Sequence, residues 1–226
     1  MRQRLIPLTP ALVRALGNRT TDYEAFRARW ETVLNTAAEH WGIHALVPKA
    51  AWLAQCAWES GAFGRLEESF NYSPEGLLRT WPRRFTPELA NALGRRRGQA
   101  AKQEAIANLV YGRRMGNGPA EGWLYRGRGI IQLTGKDNYA AAQAATGLPL
   151  VDLPEMLTDP AEAAWVAGWY WSSRGLNHVA TDRGIDAVSR AINRGSAEAR
   201  TPALHEAERR RKYAAILPAL EAATRE

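Results

Sequence analysis

Five times along the chain a helix-capping residue stands directly before a proline: Thr9-Pro10, Ser73-Pro74, Thr86-Pro87, Asp159-Pro160 and Thr201-Pro202. Proline has a fixed φ and no backbone N–H, so it is harmless in a helix only at the first position, where that N–H has no partner anyway. The Ser, Thr or Asp before it supplies an oxygen to the orphan donors of the first turn. The pattern predicts a helix start at each site and disfavours a sheet built from those segments. The first such helix is predicted to stop at Gly17, the fourth to cover Ala161 to Trp171, and the last to run through Tyr213 to Leu220. Thr21-Asp22-Tyr23-Glu24 has capping-box form and opens a further helix to Gly42, and Pro48 starts another that runs through Trp58.

Strand signals are sparse. The best is Gly129-Ile130-Ile131-Gln132-Leu133-Thr134, bounded by glycines. Between Gly112 and Gly129 the turn residues Gly116, Asn117, Gly118, Pro119 and Gly122 predict an ordered loop, and a long glycine-rich loop in a helical body is usually functional. The expected fold is mainly α with a small β ribbon near the middle, in one domain over residues 1–226. With 46% hydrophobic and 23% charged residues, the chain can bury a sizeable core.

The single cysteine, Cys56, lies in an apolar run and is expected to be a buried, inert thiol; one cysteine excludes an internal disulfide and a Cys-based zinc site. The start Met1-Arg2-Gln3-Arg4-Leu5-Ile6-Pro7 resembles a signal peptide, but Thr9, Pro10 and Arg14 interrupt its apolar stretch. Synthesis in the cytoplasm and export by another factor are therefore expected, without membrane insertion. The net charge of +7 is carried almost wholly by arginine, since Lys49, Lys102, Lys136 and Lys212 are the only lysines. Such a balance suits a polyanionic partner, either nucleic acid or an anionic cell surface, or else reflects solvated helix faces.

The chemistry concentrates around Glu59. It ends an apolar helix beside Trp58, and a carboxyl group among aromatic rings is poorly solvated, which disfavours its charged form as a proton donor requires. A second carboxylate, Glu68, follows nine residues later. On one unbroken helix their Cα atoms would be about 13.5 Å apart along the axis. Gly61 and Gly64 are expected to break the helix and let Glu68 fold back across a cleft, toward the roughly 6.5–9.5 Å separation that inverting glycosidases use. Glu67 is an alternative base by adjacency.

Trp58-Glu59-Ser60-Gly61, Leu66-Glu67-Glu68 and Asn71-Tyr72-Ser73 resemble a signature of family 19 glycoside hydrolases. Gly127-Arg128-Gly129-Ile130-Ile131-Gln132-Leu133-Thr134 followed by Asn138-Tyr139 is similar to a second, and Ala191-Ile192-Asn193-Arg194-Gly195 to a third. The three occur in the family's order over about residues 45–217, and the likeness is greatest to its bacteriophage and bacterial endolysin branch. Two departures stand out: Trp58 replaces a histidine before the acid, and Arg194 replaces a glycine.

The resemblance implies a lysozyme-like helical fold, with Glu59 as general acid, Glu68 as general base and Thr134 holding the attacking water. Gln132, Asn138 and Asn193 would hydrogen-bond the sugar, and Tyr72 and Trp123 would offer stacking faces. Gln132 and Asn138 have the alternative task of satisfying turn backbone. The implied partner is the glycan strand of peptidoglycan, with attraction to an anionic bacterial envelope through Arg95-Arg96-Arg97 and Arg209-Arg210-Arg211. No cofactor, metal, specific nucleic acid or oligomer is implied. Chitin is the competing substrate, and a nucleic-acid-binding helical protein or an inactive carbohydrate-binding module are the competing classes.

Overall fold

The computed structural model describes residues 5–225, and the leader-like residues Met1 to Arg4 lie outside them. Ten α-helices occur among the described residues: α1 Pro10–Ala15, α2 Tyr23–His40, α3 Leu46–Glu59, α4 Pro74–Thr80, α5 Pro87–Leu93, α6 Gln103–Tyr111, α7 Lys136–Thr146, α8 Pro160–Ser172, α9 Leu176–Arg194 and α10 Glu206–Ala223. The cap-and-proline starts hold at α1, α4, α5 and α8, where Thr9, Ser73, Thr86 and Asp159 each accept a hydrogen bond from a first-turn N–H. In α2 the capping oxygen belongs to Asp22.

Three expectations are corrected. Helix α3 starts at Leu46, placing Pro48 within the first turn, where its missing N–H still does no harm. Thr201-Pro202 opens no helix. Instead α10 begins after His205, which takes a left-handed φ of 57°, and Leu204 is tied down by Asn193 and Arg209. The β ribbon shrinks to isolated bridges, Glu67 with Arg128 and Arg128 with Leu133. Gly129 at φ 75° and Gln132 at φ 53° curl the intervening residues into a turn, so no ladder can propagate.

The chain divides into two compact units. One comprises the chain up to Leu66, Gly129–Ile131 and everything from Met156 onward; the other comprises Glu67–Arg128 and Gln132–Glu155. The first has α3 at its centre, packed against α9 and α10. Its sequence is apolar nearly all round, as a helix enclosed on every side requires, and it buries Trp52, Leu53, Cys56 and Ala57 together. Burial, then the nearby charge of Glu59, pushes the Cys56 thiol well above its ordinary range. Helix α2 packs on α8, where Gly168 admits Trp41: a β-carbon there would come within 2.4 Å of its ring. The second unit has its own core of Phe70, Leu77, Phe85, Ala90, Ile106, Ala107 and Val110, built where α4, α5 and α6 meet.

Candidate functional site

In the first unit, α3 ends at Glu59 and the chain reverses through Gly61, Ala62 and Phe63, all at positive φ. Left-handed backbone costs little at glycine but of order 1 kcal/mol at Ala62 and Phe63, and such strain persists only where its surroundings enforce it. The enforcement is visible. Ser60 Oγ donates to the Cys56 carbonyl at 2.6 Å and accepts from the Phe63 N–H at 2.8 Å, while the Ala62 N–H reaches the Ala57 carbonyl. The predicted break after Glu59 is therefore real, and it fixes that residue at a rigid helix end.

The surroundings of Glu59 differ from the expected apolar pocket. Arg209, 3% exposed, places its guanidinium 2.7 Å from Glu59 Oε1. Nothing local in sequence announces this contact, because it joins the ends of α3 and α10. Arg209 also donates to Gln55 Oε1 at 2.5 Å and to the Leu204 carbonyl at 3.1 Å, and Gln55 continues to Ser189 Oγ at 2.9 Å. Trp58 turns its ring toward His205, with centroids 5.6 Å apart, and toward Arg209. Asn193, expected on the sugar, accepts from the Leu204 N–H at 2.8 Å and so anchors the loop that supports Arg209. Arg194 donates to the Pro202 carbonyl on that same loop.

The second unit carries Glu68, Thr134, Gln132, Asn138, Tyr72 and Trp123. Glu67 and Glu68 pair with Arg126-Gly127-Arg128, and this pairing explains the arginine–glycine alternation. The Glu68 N–H donates to the Gly127 carbonyl at 2.8 Å, and the Gly127 N–H returns to Glu68 Oε2 at 3.1 Å. A β-carbon on Gly127 would press on Glu68 Oε2 and Gln132 Oε1 at 3.1 Å, so any larger residue there would have to displace those side chains by a few tenths of an ångström. Tyr111 Oη donates to Glu68 Oε1 at 3.0 Å. Burial raises the Glu68 carboxyl above the ordinary carboxylate range, opposed by the Gly127 and Tyr111 donors and by Arg126.

Glu67, the alternative base, is held at one carboxylate oxygen by two arginines. Its Oε1 takes Arg126 at 2.6 Å and Arg128 at 2.9 Å, and those two arginines are buried. Arg128 is further held by the Leu124 carbonyl, and Tyr139 donates to the Arg126 carbonyl at 2.8 Å, its own hydroxyl pushed up to about 12 by burial. Glu67→Ala should therefore act through stability, leaving two buried guanidiniums without their carboxylate. The expected loss is about 2–3 kcal/mol, below the fully buried range because Glu67 is itself half-exposed. Urea unfolding measures it directly, and a loss under about 0.5 kcal/mol would show that water replaces the carboxylate there.

Thr134 donates its hydroxyl hydrogen to the Gln132 carbonyl at 2.9 Å, which leaves its lone pairs to accept from a water. Gln132 itself is held at φ 53°. Asn138 commits its Nδ2 to the Thr134 carbonyl at 2.7 Å, the backbone-satisfying task set against sugar binding. Tyr72 packs edge-on against Trp81, and one face of Trp123 is covered by the Arg126 guanidinium at 3.6 Å. Trp123 thus has at most one face to offer a sugar. Of the expected basic patches, Arg209, Arg210 and Arg211 pair with Glu59, Asp186 and Glu208, and Arg210 and Arg211 stay exposed. Arg95, Arg96 and Arg97 are exposed and form no ion pair among the described residues. Among those residues, too, no group of three His, Cys, Asp or Glu could hold a metal ion, and no helix is long and apolar enough to cross a membrane.

No family model matches the chain. Over 151 residues it is 40% identical to a glycosyl hydrolase family 19 domain-containing protein of Haemophilus influenzae, spanning 65% of this chain and 70% of that one. It is 42% identical over 81 residues to an endochitinase of Arabidopsis thaliana, covering 35% of this chain and 28% of the plant protein. Among solved structures, chitinase C from Streptomyces griseus HUT6037 superposes with a TM-score of 0.60 at 21% identity, over 96% of this chain and 77% of that chain. A bacterial family 19 chitinase gives 0.58 at 19% identity, over 94% of each chain. At these identities the structural likeness shows the fold alone.

Proposed function

The chain belongs to glycosyl hydrolase family 19, and from that premise we propose that it cleaves β-1,4 bonds of peptidoglycan glycan strands by inversion, as a bacteriolytic, endolysin-type enzyme. Glu59 is the general acid: its proton passes to the glycosidic oxygen as the bond from that oxygen to the anomeric carbon breaks. Glu68 is the general base: it takes a proton from a water whose oxygen bonds to the anomeric carbon. Thr134 accepts a hydrogen bond from that water's other hydrogen, which stays on the oxygen as the product hydroxyl. The observation that carries this reading is the held state of Glu68, whose Oε1 receives the Tyr111 hydroxyl and whose Oε2 receives the Gly127 N–H, beside a Glu67 paired with two buried arginines.

Peptidoglycan is favoured over chitin by charge. Arg79, Arg83, Arg84, Arg95, Arg96 and Arg97 are exposed and carry no ion pair among the described residues, so this surface suits a polymer bearing carboxylates more than a neutral one. Chitin remains the competing reading because chitinases stand among the relatives. Two substrates separate them. Purified peptidoglycan sacculi should be solubilised, with a rate falling as salt screens the arginines, and soluble chitin oligomers should be cut much more slowly. Faster cleavage of chitin oligomers, indifferent to salt, would reverse the assignment. Proton NMR of the first-formed reducing end should show the α-anomer before mutarotation, and an early excess of β-anomer would mean retention.

A further inference from the structure

Tyr111 lies in none of the signature motifs, yet its hydroxyl holds the Glu68 carboxylate opposite the Gly127 N–H. It lies at the end of α6, 43 residues away in sequence, and its hydroxyl donates to Oε1 at 3.0 Å while the Gly127 N–H occupies Oε2. The ring has little freedom to leave. It packs edge-on against the fully buried Phe70 at 5.7 Å, and the Tyr111 carbonyl accepts from Asn117 Nδ2 at 2.9 Å.

We propose that Tyr111 is the positioning residue of the base, fixing the direction of the Glu68 carboxylate and stabilising its ionised form. This rests on the assignment of Glu68 as general base. A carboxylate gripped at both oxygens keeps one orientation and presents its remaining lone pairs to a water in a fixed direction. The charged and titratable groups acting on the pair are Arg126 on Glu68, and Tyr72 and Arg114 on Tyr111. Burial and the charge of Glu68 both push the Tyr111 hydroxyl far upward, so it stays a donor wherever Glu68 is ionised. Burial also pushes Glu68 upward, and the Tyr111 donor opposes that push. Without the hydroxyl, burial is less opposed and the base stays protonated, and so idle, to higher pH.

Tyr111→Phe removes the hydroxyl and keeps the ring against Phe70. Two measurements on the folded variant are needed: kcat/KM against pH on peptidoglycan fragments, and carbon-13 NMR titration of the Glu68 carboxyl. The acid limb and the carboxyl midpoint should both move to higher pH, with kcat/KM about tenfold lower on the acid slope, as loss of one hydrogen bond to a charged group predicts, and much less changed on the plateau. A merely structural role would lower the rate by one factor at every pH and leave the midpoint where it was, which overturns the inference. A midpoint that moves while the acid limb stays fixed would instead overturn Glu68 as the base, with the Tyr111 contact intact.

Discussion

Glu59→Gln should fold and lose about 10²–10⁴-fold in kcat, the usual contribution of a general acid–base group. The change keeps size and shape but removes the transferable proton. The amide oxygen can still accept from Arg209, and that arginine keeps its bonds to Gln55 and Leu204, so the end of α3 should remain in place. A stability loss is nonetheless expected, because Arg209 is buried and loses its opposite charge; broken buried pairs cost about 3–5 kcal/mol, and the retained hydrogen bond should keep the loss below that. Thermal melting and steady-state turnover on the same preparation separate the two effects. A folded variant with near-normal turnover would remove Glu59 from the acid's role.

Glu68→Gln should be impaired to a similar degree, again about 10²–10⁴-fold, by losing the proton acceptor. Its structural consequences should be smaller than those of Glu67→Ala. The glutamine oxygen can replace one carboxylate oxygen toward Tyr111 or Gly127, and no buried guanidinium depends on Glu68 for an ion pair among the described residues. The pair of variants therefore splits cleanly: Glu68→Gln loses turnover and keeps stability, while Glu67→Ala loses stability first. Comparable turnover in folded Glu68→Gln and in the parent protein would move the base elsewhere.

Much of the helical framework was legible because its determinants are local. A proline after Thr9, Ser73, Thr86 or Asp159 sets φ and spares a donor within a single turn, and each site duly begins a helix. Thr201-Pro202 carries the same signal and fails, since the loop it enters is pinned by Asn193, Arg194 and Arg209 from elsewhere in the fold. The ribbon expected at Gly129–Thr134 failed for a related reason. Its apolar residues read as a strand, but Gln132 takes a positive φ, which a glutamine's own preferences do not announce.

By itself the sequence determined a mainly helical fold, a helix that stops at Glu59, and a family signature placing two glutamates nine residues apart. Those properties follow from capping chemistry, apolar periodicity and motif order. What the glutamates experience was decided only by the tertiary structure. Arg209 reaches Glu59 from the far end of the chain, Tyr111 reaches Glu68 from the end of α6, and Arg126 and Arg128 pair with Glu67. Neighbours in a chain share backbone geometry, but the strength of a charge's interactions depends on distance and burial, and both are set when remote segments pack together.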